Sequence, residues 1–186
     1  MLSTTNFRKG LKLMIDGAPC AIIDFQHVKP GKGSAFVRTK YRNLLTDNVQ
    51  DRNFRSGEKF EKPDLIEKKM QYLYAEDDSF YFMDSATFDQ TFITREALGD
   101  AVSFLKENIE ASVLFFEGKV IGVELPNTVE LAVTSCDPGM KGDTVSGATK
   151  PATLETGYVV HVPLFINEGD VLRIDTRSGD YLERVG

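Results

Sequence analysis

Two strand-like runs joined by a Pro-Gly turn constrain this chain more than any other feature. Ala21-Ile22-Ile23-Asp24-Phe25-Gln26-His27-Val28 leads into Lys29-Pro30-Gly31-Lys32-Gly33-Ser34, and Ala35-Phe36-Val37-Arg38-Thr39-Lys40-Tyr41 leads out. Pro30 presets its own φ and Gly31 accepts φ > 0, so the runs must fold back on each other as a long hairpin. Gly33 flanks the remaining side chain, which leaves Lys32 alone at the tip. A turn needs no lone lysine between glycines. The arrangement suits delivery of one amine into a distant, crowded place.

The residues around this hairpin read as β. Leu11-Lys12-Leu13-Met14-Ile15 meets a turn at Asp16-Gly17-Ala18-Pro19, and Val49-Gln50-Asp51-Arg52-Asn53-Phe54-Arg55 follows a turn at Thr46-Asp47-Asn48. Short strands punctuated by Gly, Pro, Asn and Asp predict a small barrel. The polar stretch from Ser56 to Pro63 suggests a boundary, giving a first domain over 1–63.

A second domain over 64–127 opens with a meander, Asp64 to Ala75 and Phe80 to Asp84, rich in aromatics. Leu98, Val102, Leu105 and Ile109 fall on one stripe and predict a helix over Thr94 to Ile109. Thr94 would cap it, with Glu96 in its first turn. Two further strands, Ala111 to Phe116 and Lys119 to Leu125, complete the order of an OB-type barrel. A third domain over 128–186 holds Val129 to Val133, then Gly- and Thr-rich loops, then Tyr158 to Ile166, Val171 to Thr176 and Tyr181 to Val185. The fold expected is all-β with one short helix: three small barrels, each too thin-cored to stand apart.

Charge divides along the same boundaries. The chain carries −6 overall, yet residues 1–63 hold 12 Lys/Arg against 6 Asp/Glu. The middle domain holds 5 against 13, and the last 5 against 9. A basic head on an acidic body suits a protein whose N-terminal part meets phosphate. Arg38, Lys40 and Arg42 would share one face of the hairpin by the two-residue period, a stripe able to track a phosphate backbone. No apolar run approaches the ~20 residues that span a bilayer. The first ten residues lack a signal-peptide core, so a cytoplasmic protein without a membrane partner is expected. Cys20 and Cys136 are far apart and read as reduced thiols.

Catalytic signatures are sparse. Cys20, His27 and His161 have no nucleophile–base spacing, and no metal-ligand spacing occurs. The Lys29 to Gly33 segment is glycine-rich but runs into a strand, whereas a phosphate-binding loop opens a helix. The expectation is a non-enzyme with no catalytic residue, no metal and no dissociable cofactor.

Five segments together resemble bacterial translation elongation factor P, over essentially the whole chain. Asn6-Phe7-Arg8-Lys9-Gly10-Leu11 is similar to the family's opening, and Phe25 to Gly33 to its modified hairpin. Asp137-Pro138-Gly139-Met140-Lys141-Gly142-Asp143-Thr144 is similar to its DPGxKGDT loop. Lys150 to Gly157, continuing to Val162 to Ile166, resembles its C-terminal signature, and Asp175 to Tyr181 its ending.

The resemblance implies a KOW/SH3-like head and two OB domains in an L-shaped, tRNA-like arrangement. It implies binding to the 70S ribosome between the peptidyl and exit sites, against ribosomal RNA and the peptidyl-site tRNA. There the family positions peptidyl-tRNA and stimulates peptide-bond formation, relieving stalling at consecutive prolines. Lys32 matches the tip residue that a lysine-modifying enzyme extends, with a lysyl or aminopentanol-type group. Lys29, Pro30, Gly31 and Gly33 match its hairpin. Lys141, Gly142 and Asp143 match a contact surface towards the small subunit, and Tyr181 and Arg184 match positions facing tRNA. The eukaryotic and archaeal homologues lack a third domain, so residues 128–186 argue against them. The lysine-bearing tip argues against the bacterial paralogue. Two other readings stay open: a general single-strand-binding OB protein, and an enzyme whose site assembles only in three dimensions.

Overall fold

The computed structural model describes residues 1–138 and 147–186. The chain separates into two compact units, one of Met1–Ile66 with Leu114–Gly122 and one of Glu67–Val113 with Val123–Gly186. The predicted Lys141, Gly142 and Asp143 contacts lie outside the described residues.

In the first unit, β1 (Leu2–Ser3) pairs with β6 (Lys59–Phe60). Between them β2 (Lys12–Ile15), β3 (Ala18–Val28), β4 (Phe36–Asn43) and β5 (Val49–Arg55) form an antiparallel sheet in sequence order. Its inner face buries Leu13, Ile22 and Val37, and Phe7, Phe54 and Phe60 pack around them with ring centroids 5.0–6.2 Å apart. Buried Thr4 fastens the chain start to this core. Its hydroxyl accepts from the Gly57 N–H at 2.7 Å.

The second sheet has the order β11-β10-β7-β8-β9, with β7 at Leu65–Glu76, β8 at Ser79–Asp84, β9 at Gln90–Thr94, β10 at Glu110–Phe116 and β11 at Lys119–Glu124. The helix predicted over Thr94 to Ile109 is cut short. Only Arg95–Leu98 (α1) is α-helical, and Gly99–Phe104 continues as a 3-10 helix. The Thr94 hydroxyl does accept from the Ala97 N–H at 3.3 Å, and Glu96 does lie in the first turn. Gly99 then adopts φ 56°, which an α-helix cannot accommodate, and Leu105 is extended. Leu98 and Leu105 are buried as the stripe implied, but not as rows of one helix.

In the third sheet the order is β14-β13-β12-β15-β16, with β12 at Thr128–Cys136, β13 at Thr149–Leu154, β14 at Val159–Pro163, β15 at Val171–Asp175 and β16 at Tyr181–Val185. Strand β12 pairs with β15 through Thr128–Ala132 and with β13 from Val133 onward, a bulge marking the change of partner. One strand shared between two ladders wraps the sheet as a half-barrel around Leu131, Leu154, Val162, Leu172 and Ile174. Strand β13 replaces part of the expected loops. The expected strand Tyr158 to Ile166 ends at Pro163, and Ile166 turns into the core.

The 3-10 helix ends inside this barrel's core. Phe104 is buried there and meets the Tyr158 ring at 5.0 Å. The Thr156 hydroxyl donates to the Ser103 carbonyl at 2.5 Å, and Lys106 pairs with Glu155 at 3.4 Å.

Candidate nucleic-acid interface

The basic stripe is built by strand alternation. Along β4, Val37, Thr39 and Tyr41 are buried while Arg38, Lys40 and Arg42 are exposed. The hairpin is in register from Val28 opposite Phe36 back to Cys20 opposite Asn43, with one bulge at Ile23. Alternate positions therefore stack in cross-strand rows on the outer face, where directly opposed side chains interact.

These rows differ in charge. Arg38 lies between Gln26 and Asn53, and Arg42 between Ala21 and Val49. Lys40 lies between Asp24 and Asp51, so carboxylates flank it on both sides. The row nearest the tip is Val28, Phe36 and Arg55. Arg55 is exposed and was not among the predicted contacts. Its place beside Phe36 follows from the β4–β5 register, which the sequence pattern alone did not supply. Arg38 and Arg42 thus face no carboxylate across the strands, Arg55 lies nearest the tip, and the charge of Lys40 is offset by Asp24 and Asp51.

Beyond that row, residues 29–35 make no strand pairing. Lys29, Pro30, Gly31, Lys32, Gly33 and Ser34 are all exposed. Among the described residues nothing forms an ion pair or hydrogen bond with the Lys32 side chain. The left-handed position in this loop is Gly33, at φ 103°, and not Gly31 as the Pro-Gly pair suggested. Gly31, Lys32 and Gly33 together form the bend, with Lys32 at its centre.

Tyr181 and Arg184 lie on β16. Tyr181 is half-buried against the C-terminal core. Arg184 reaches Asp170 at 3.8 Å and lies over the Phe165 ring at 5.4 Å, with Phe165 itself 56 % exposed. The guanidinium is therefore held rather than free.

Shifted titrations elsewhere have structural causes. Burial pushes the Cys20 thiol and the Tyr72 phenol up. The Ala86 N–H, with Thr87 and Lys68 in support, holds the Asp84 carboxyl below its ordinary value. Arg177 does the same for Asp175, whose Oδ1 accepts the Arg177 N–H at 2.8 Å. Among the described residues no group of three or more His, Cys, Asp or Glu is placed to hold a metal.

Sequence models of three domains match in series: the elongation factor P KOW-like domain over residues 3–60, its OB domain over 65–123 and its C-terminal domain over 129–184. The chain belongs to the elongation factor P family. It is 57 % identical to elongation factor P of Carboxydothermus hydrogenoformans over 185 residues, all of both chains. It is 54 % identical to that of Bdellovibrio bacteriovorus, covering 98 % of it. Among solved structures it resembles translation initiation factor 5A from Methanococcus jannaschii, with TM-score 0.52 and 26 % identity. That match covers 66 % of this chain and 94 % of the other. A Naegleria fowleri protein of the same initiation-factor family shares the fold at TM-score 0.53 over 67 % of this chain.

Proposed function

We propose that this elongation factor binds the ribosome between the peptidyl and exit sites and directs Lys32 towards the acceptor end of the peptidyl-tRNA. There it steadies the tRNA in a reactive pose and stimulates peptide-bond formation, most of all at consecutive prolines. The ring of proline restricts the geometry of attack, and orientation alone supplies much of such a barrier. The chemistry remains the ribosome's.

The observation that carries this reading is the exposed, unpartnered Lys32 beyond the last cross-strand row, with Arg38 and Arg55 behind it. Arginines on the outer face would engage phosphate, while the tip enters a space too narrow for a folded body. A lysine suits the tip because its ammonium is a compact charge on a flexible stem, and its nitrogen accepts acyl or alkyl groups. We assign a lysyl or aminopentanol-type extension to this amine, added by a dedicated modifying enzyme. Tyr181, Arg184 and the Lys141 to Asp143 segment would meet tRNA and the small subunit.

Translation of a polyproline reporter tests the reading. Lys32→Ala should abolish rescue while leaving the fold intact by circular dichroism. Lys32→Arg, which keeps the charge but not the modifiable amine, should also fail if the extension matters. Full rescue by Lys32→Ala would remove the basis of the proposal. Intact mass of the protein from its native host identifies the extension.

A further inference from the structure

The outer face of the β7-β8-β9 corner carries three aromatic rings in one row. Tyr74 lies opposite Tyr81, and Tyr81 opposite Phe92. The two tyrosines stack at 4.6 Å with planes 15° apart, and Phe92 follows at 6.3 Å. Tyr74 is 50 % and Phe92 56 % exposed, and β9 is an edge strand of its sheet. The inner face of the same strands is already filled by Tyr72, Phe80, Phe82 and Ile93, so the ladder adds nothing to the core. Contiguous exposed apolar surface of this kind marks interaction sites, whereas single scattered hydrophobic residues do not.

The rim decides what the surface accepts. The next row outward is Glu76 opposite Ser79, and the turn carries Asp77 and Asp78. Asp78 is held by Arg95, whose guanidinium lies over Phe80 at 5.2 Å. Glu76 and Asp77 have no ion-pair partner among the described residues. Aromatic faces beside open carboxylates attract guanidinium groups, by cation–π contact and charge together, and repel phosphate. The Arg95–Phe80–Asp78 contact is an intramolecular instance of that chemistry at the same corner.

We propose that the Tyr74–Tyr81–Phe92 ladder docks an arginine-bearing segment of a protein partner, its guanidinium groups lying on the rings and pairing with Glu76 and Asp77. The surface involves neither Lys32 nor the β4 stripe, so it stands or falls apart from the ribosomal reading.

The test is titration of the full chain with a hexa-arginine peptide, followed by amide chemical shifts and fluorescence anisotropy. The shifts should cluster on Tyr74, Tyr81 and Phe92. Binding should weaken about tenfold in a Tyr74→Ser/Phe92→Ser variant and be restored by Tyr74→Phe/Phe92→Tyr, which keeps the rings. Hexa-lysine of equal charge should bind more weakly, because ammonium is more strongly hydrated than guanidinium. Shifts elsewhere, equal binding of the two peptides, or unchanged affinity in the serine variant would overturn the proposal. So would tighter binding of a single-stranded oligonucleotide to this face. If the serine variant fails to fold by circular dichroism, the shift map of the native chain and the arginine–lysine comparison decide the matter alone.

Discussion

Gly179 is the position where a single methyl group should do most damage for its size. It closes the turn between β15 and β16 at φ 79°, and its N–H donates to the Asp175 carbonyl at 2.7 Å. Its own carbonyl accepts the Tyr158 hydroxyl at 2.9 Å. A Cβ at Gly179 would lie well inside van der Waals contact distance of that hydroxyl oxygen, 3.2 Å from Tyr158 Cζ and 3.8 Å from Phe104 Cζ. Alanine in the left-handed region costs about 1–2 kcal/mol. Displacing the tyrosine forfeits a hydrogen bond worth about 1 kcal/mol and adds overpacking of about 1–3 kcal/mol. The last two overlap, since one movement causes both, so Gly179→Ala should destabilise the C-terminal barrel by about 3–4 kcal/mol. Tyr158→Phe removes the hydroxyl and should cost about 1 kcal/mol. In that background Gly179→Ala should cost the backbone penalty plus adjustment of the remaining 3.2 Å contact with the ring, together about 2 kcal/mol. The double-mutant cycle should therefore show a favourable coupling of about 1–2 kcal/mol. Urea unfolding followed by the tyrosine signal measures all three, with the separate transitions of a chain of several modules fitted separately. A cost below about 1 kcal/mol for Gly179→Ala, or strict additivity in the double variant, would refute the packing argument.

Other expectations follow from the outer face of β4 and from the capped turns. Arg38→Ala should weaken ribosome binding and lower its salt dependence by close to one phosphate contact, a slope change of about 0.7–0.9, whereas Lys40→Ala should do less because Asp24 and Asp51 flank it. Filter binding at several salt concentrations separates the two, and equal slopes would count against the row analysis. Asp175 has a folded pKa below its ordinary value, so it stabilises above the unfolded carboxylate pKa of about 4 and loses that contribution as pH falls through the folded value. Asp175→Asn keeps the turn acceptor but not the charge facing Arg177. It should lower the melting temperature at pH 7 and flatten its decline below about pH 4.

Strand patterning was legible wherever one face is buried. The alternation of Val37, Thr39 and Tyr41 with Arg38, Lys40 and Arg42 is plain in the sequence and is what β4 shows. Strand β13 was not legible, because Lys150 and Pro151 interrupt its apolar positions. Lys150 is nonetheless buried, its ammonium donating to the Asp137 carbonyl, so a polar residue occupies an inward position. The apolar stripe overextends the helix because periodicity does not register Gly99, whose positive φ ends the α-helix after one turn. Of the proposed contact surface, the exposure of the tip and of the β4 stripe is legible in the sequence. Arg55, and the carboxylates beside Lys40, emerge only from cross-strand register, which periodicity does not encode.

The tip itself yields a sharper test than its lysine. Strand pairing between β3 and β4 stops at Val28 opposite Phe36, and the Ala35 carbonyl still accepts the Ser56 N–H at 3.1 Å, so it is the exposed residues 29–34 whose course rests mainly on backbone preference. Gly33 adopts φ 103°, a conformation that L side chains rarely take, whereas Gly31 needs no positive φ and has open space around its Cα. Alanine at Gly31 should leave rescue of the polyproline reporter near the native level, with less chain entropy to lose when the loop is held by a partner. Alanine at Gly33 must redirect the chain immediately after Lys32, or pay about 1–2 kcal/mol to keep its course. Rescue should fall severalfold while the melting temperature barely moves, because the exposed loop can relax without disturbing the sheet. Equal losses from both substitutions would mean that the surrounding partner excludes any side chain there. In that case crowding, and not the backbone conformation at Gly33, would be what demands glycines on either side of Lys32.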